Sequence, residues 1–74
     1  MMQGKQKFEL GKQYFRDLLQ ETAQSYAQGD TREEAAKRVA KILVRNYADK
    51  FDPGFPEDVV GNIAKAYQVI AFMQ

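Results

Sequence analysis

The residues Gly29-Asp30-Thr31-Arg32-Glu33-Glu34-Ala35-Ala36 decide how this chain folds. Thr31 followed three positions later by Glu34 is a capping box. The threonine hydroxyl accepts from the Glu34 amide, and the Glu34 carboxylate reaches back to the Thr31 amide. Glu33 and Glu34 also sit at the positive end of the helix they open. Gly29 takes the left-handed conformation that closes a helix C-terminus at no steric cost. One helix therefore ends where another begins, with only Gly29 and Asp30 between them, and the two must fold back as an antiparallel hairpin.

Upstream of the turn, Phe8, Phe15, Leu18, Leu19, Thr22 and Tyr26 recur at helical spacings and predict a helix over about 8–28 with that stripe facing inward. Lys12, Gln13, Arg16, Asp17, Gln20, Glu21 and Gln24 fill the other face. Gly11 weakens the first turns by about 1 kcal/mol relative to Ala, which favours a start beyond it with Leu10 packing locally.

Downstream, Ala35, Ala36, Val39, Ala40, Ile42, Leu43 and Tyr47 mark the inner face of a helix over about 32–47. The alanines allow the first helix to approach closely. Ala48 to Pro56 reads as a loop, with turn chemistry at Pro53-Gly54. Pro56 suits the first position of a third helix, over about 56–72, because its missing amide would be unpaired there in any case. Val59, Val60, Ile63, Ala64, Ala66, Tyr67, Ile70 and Met73 make that helix broadly apolar, and Gly61 suggests a close helix crossing. The expected fold is all-α: one domain, a three-helix bundle with an N-terminal antiparallel helical hairpin.

Composition narrows the chemistry. The 74 residues are 45% hydrophobic and 28% charged, with net charge +1, no Cys and no His. A thiol nucleophile, an imidazole base and an ordinary zinc site are thereby excluded. No twelve-residue calcium loop occurs. No apolar run approaches the roughly 18 residues of a membrane span, and Met1 to Lys7 do not form a signal peptide. The expectation is a cytoplasmic chain without catalytic residues, cofactor or metal. A core this small lacks a disulfide or metal to reinforce it, which favours self-association or origin as a piece of a larger protein.

Two sets of residues stand out as contact candidates. Tyr14 lies off the main stripe of the first helix, and Phe51 and Phe55 are aromatic in a loop. Phe51 and Phe55 either fold back as a lid over the hairpin or meet a protein partner, and Tyr14 is a candidate interface anchor. Lys37, Arg38, Lys41 and Arg45 form a basic stripe on the second helix. That stripe is the candidate for nucleic-acid contact. The plainer account is a solvated face whose acids precede its bases, as the helix dipole favours. The acids Asp49, Asp52, Glu57 and Asp58 are explained by capping and solubility, because so small a bundle has little room for a two-carboxylate cleft.

The order Tyr14-Phe15-Arg16-Asp17-Leu18-Leu19, the Gly29 to Ala36 turn, Asn46-Tyr47-Ala48-Asp49 and Val59-Val60-Gly61-Asn62-Ile63-Ala64-Lys65-Ala66-Tyr67 resembles the C-terminal helical segment of metallo-β-lactamase-fold hydrolases. Asn62 and Tyr67 match that segment's Asn-x-x-x-x-Tyr ending. The resemblance spans Tyr14 to Ile70. The family's His-x-His-x-Asp-His metal ligands have no counterpart here, so it assigns no catalytic role to any residue. It implies an accessory helical piece that packs against, and helps shape, a substrate entrance or an oligomer contact.

Overall fold

The computed structural model describes residues 4–47, 49–51 and 54–74, with side chains from residue 8 onward. Three helices follow one another: α1 (Gly4–Ala27), α2 (Arg32–Tyr47) and α3 (Phe55–Met73). Each packs against the other two, and no strand occurs among the described residues. α2 runs antiparallel to α1, so that its last residue, Tyr47, meets Tyr14. α3 returns alongside α1 in the same direction, with Phe55 beside Tyr14 and Tyr67 beside Tyr26.

The turn forms as its sequence dictates. The Thr31 amide donates to Glu34 Oε1 at 2.8 Å and the Glu34 amide to Thr31 Oγ1 at 3.2 Å, completing the capping box. Gly29 has φ +91°. Its amide bonds the Tyr26 carbonyl, and the Asp30 amide bonds the Ser25 carbonyl, which together make a Schellman closure. That closure ordinarily carries an apolar contact at its flanks. Here the flanking residues are Ser25 and Asp30, and the serine hydroxyl donates to Asp30 Oδ2 at 2.5 Å instead. Arg38 of α2 pairs with the same carboxylate oxygen at 3.1 Å, and the Tyr67 hydroxyl of α3 donates to the Asp30 carbonyl at 2.5 Å. One turn residue thus joins all three helices.

Leu18, Val39, Leu43, Val59 and Ile63 form the centre of the core, with Ala35, Ala36, Ala40 and Ala66 between them. The alanines sit where α2 and α3 face their neighbours, and short side chains there bring helix axes close.

Three expectations need correction. α1 begins at Gly4, not near Phe8 or beyond Gly11. At roughly 36 Å it is eight residues longer than α2, 24 against 16. Its inner face is also narrower than the stripe implies: Leu18, Thr22 and Ser25 are buried, while Phe8, Phe15 and Leu19 are exposed. Two neighbours cover one edge of the apolar arc and leave the other open. Gly61 marks no crossing, since a Cβ added there meets nothing within 4 Å. Pro53, half of the expected Pro53-Gly54 turn, lies outside the described residues. Gly54 caps α3, with Pro56 in its first turn.

Candidate functional site

The end of the bundle where α1 projects holds an aromatic cluster. Phe51 stacks on Phe55 at 4.8 Å between ring centroids, and Tyr14 meets Tyr47, Phe51 and Phe55 at 5.8, 5.5 and 5.3 Å. Phe55 is buried, and Tyr14 and Phe51 are partly buried against the core. The three residues singled out as partner contacts therefore lie together, covering the end of the hairpin. The Phe55 ring is enclosed by this chain itself.

Two hydrogen bonds orient the phenols. Tyr47 donates to Asp17 Oδ2, and Asn62 Nδ2 donates to the Tyr14 hydroxyl at 3.2 Å. Burial pushes the Tyr47 phenol up to about 12, and the adjacent Asp17 carboxylate, as acceptor and as charge, pushes the same way. Burial also raises Tyr14; the Asn62 bond opposes that and the Asp58 charge adds to it. Phenols held neutral this firmly act as structural donors and acceptors at neutral pH.

On α2, Lys37, Lys41 and Arg45 lie four residues apart on the outer face and are exposed. Arg38 is separated from them in role: it is held by Asp30 and also donates to Gln28 Oε1. Val60 stands exposed beside Lys41 and Arg45, in a shallow hollow with Ala40, Val44 and Pro56.

The most pronounced surface feature is apolar. Phe8 is 65% exposed, Phe15 59% and Val69 57%. Leu19 and Met73 are exposed on the same two helices. Between α1 and α3 runs a groove lined by Tyr14, Phe15, Leu18, Leu19, Ala66 and Val69, with Asn62 and Lys65 on its α3 rim. A second hollow continues it along α1, over Gly11 and between Phe8 and Phe15, bordered by Lys12 and Arg16. The glycine makes that hollow, since no side chain fills it.

Sequence reasoning misplaced this surface by assigning Phe8, Phe15 and Leu19 to the core. The signal was present in the width of the stripe. Phe15 and Tyr14 are about 100° apart around the helix, and so are Leu19 and Leu18, so one flat neighbour cannot cover both edges.

Among the described residues no group of three or more His, Cys, Asp or Glu is placed to hold a metal ion, and no helix is long and apolar enough to cross a membrane. No family model matches the chain, and neither a curated protein nor a solved structure matches it.

Proposed function

We propose that this chain is a non-catalytic helical interaction module that self-associates through the α1/α3 face. One observation carries the reading. Large apolar side chains, Phe15, Leu19 and Val69, stand exposed along a groove between two adjacent helices, and Phe8 stands exposed in the hollow that continues it. Their exposed surface amounts to about 440 Å², taking roughly 200 Å² for a large side chain. That lies within the range of the largest apolar patch on a monomer, which is often functional. It also matches the apolar share of a standard interface, which buries about 800 Å² per partner.

The test is light scattering behind a size-exclusion column over a concentration series. Dimers are expected at tens of micromolar, with Phe15→Ser shifting the chain to monomer at unchanged helicity. A wild-type chain that stays monomeric throughout contradicts the reading.

The same reading takes the chain as an accessory C-terminal segment of a metallo-β-lactamase-like hydrolase. It rests on the resemblance and on the Asn62 and Tyr67 ending, whose side chains both tie α3 to the hairpin. The genomic reading frame upstream of Met1 tests it: a His-x-His-x-Asp-His cluster supports it, and a stop codon removes it.

A further inference from the structure

We infer that the occupant of the α1/α3 groove is the projecting end of α1 from a second copy, in an antiparallel two-fold dimer. This rests on the self-association proposed above and fixes its geometry.

Four residues form the open seam of α1: Phe8, Lys12, Phe15 and Leu19. Their spacings are four, three and four, which read the same in both directions. Reversing the helix therefore lays Phe8 on Leu19 and Lys12 on Phe15. A two-fold axis between Gln13 and Tyr14 gives every seam residue a counterpart at once, as an isologous interface requires. A parallel pair would instead set Lys12 against Lys12.

The ends fit as well. Tyr14 of α1 meets Tyr47, the last residue of α2, so the ten residues from Gly4 to Gln13 run past the end of α2, and Phe8 among them is largely uncovered. In the antiparallel arrangement Phe8 arrives at the level of Leu19 of the other copy, where the groove opens between Leu19 and Val69. Lys12 already lies with its ammonium 5.4 Å from a phenyl centroid, that of Phe8. Across the seam its counterpart is again a phenyl ring, Phe15. Gly11 leaves room beside the seam for the approaching helix.

Charge agrees at the outer flank. Glu9 and Arg16, seven positions apart, share one side of α1. Antiparallel helices bring like flanks together. The two-fold sets Glu9 within about 3 Å, along the axis, of Arg16 of the other copy, and does so twice.

Cysteine pairs test this arrangement directly, because the chain has none of its own. Positions 8 and 19 are about 16 Å apart within one helix and cannot bridge intramolecularly. Under mild oxidation, Phe8→Cys/Leu19→Cys is expected to close into a covalent dimer and stop there, while either single variant cross-links poorly. A charge swap gives a second reading that leaves the seam intact. Glu9→Arg or Arg16→Glu is expected to weaken association by about tenfold, and the double swap to restore most of it.

Efficient cross-linking of the single variants, or a ladder of higher species, overturns the antiparallel register while leaving self-association standing. A charge swap that fails to rescue overturns the register as well. A chain monomeric in every state, or one that binds anionic vesicles through Phe8 in place of itself, overturns both.

Discussion

Leu18 is 2% exposed and Phe15, one turn earlier on the same helix, is 59% exposed. Both are large and apolar, so the difference lies in what α2 and α3 reach. Leu18 faces the seam where the three helices meet, and Phe15 stands on the open lip of the α1/α3 groove. Leu18→Ala is expected to cost about 2–5 kcal/mol, through lost burial and the cavity left behind. Phe15→Ser is expected to cost less, about 1–2 kcal/mol under dilute conditions, because more than half of its surface stays in water on folding. Urea titrations at low micromolar concentration compare the two; equal losses would mean that Phe15 is buried in the monomer.

Thr22 is fully buried, and its hydroxyl has no hydrogen-bond partner among the described residues. An unpaired buried hydroxyl carries a desolvation cost that an isosteric methyl does not. Thr22→Val is expected to raise stability by about 1 kcal/mol, read as a higher urea midpoint with unchanged slope. A drop in the midpoint would show that the hydroxyl is paired in solution.

Two glycines respond oppositely to the same change. Gly29 has φ +91°, where a Cβ strains the backbone, so Gly29→Ala is expected to destabilise by about 1–2 kcal/mol. Gly61 lies exposed in the middle of α3 with open space around it, and Gly61→Ala is expected to stabilise by about 0.5–1 kcal/mol. Thermal melts of the two variants check the contrast. A loss at Gly61 would reveal a close neighbour there, such as a partner helix.

Alkaline pH reaches the aromatic end of the bundle. The Tyr47 phenol titrates near 12 in the folded chain against an ordinary value of 10. A folded value above the unfolded one means that its contribution is complete below pH 10 and is lost between about 10 and 12. Stability is expected to fall over that window, and less steeply in Tyr47→Phe. The phenylalanine variant also leaves Asp17 without its donor, so it starts lower at neutral pH. Parallel urea titrations at several pH values distinguish the slopes; identical slopes would place the Tyr47 hydroxyl in water.

The turn and α2 were legible in sequence because every local signal agrees there. Thr31, Glu34 and Gly29 each have one good conformation, and Ala35, Ala36, Val39, Ala40, Leu43 and Tyr47 share a single buried face. α1 was legible as a helix but not in its orientation. Its apolar arc is wider than the surface that α2 and α3 present, and which edge is covered depends on where α3 returns. No local pattern encodes that. The Asp30 junction was hidden for a similar reason: Ser25 and Arg38 are near in sequence, but Tyr67 reaches the turn only through the path of α3. The aromatic end was readable as to its residues, since Phe51 and Phe55 frame the loop, while Tyr14 joins them because α1 is long enough to pass beneath.

The most direct test of the central claim is an isotope-filtered NMR experiment on a mixture of labelled and unlabelled chains, which records contacts between copies only. The account predicts contacts from the Phe8 ring to the methyl groups of Leu19 and Val69. Contacts confined to the outer face of α2, around Lys37, Lys41 and Arg45, or no contacts between copies at millimolar concentration, would contradict it.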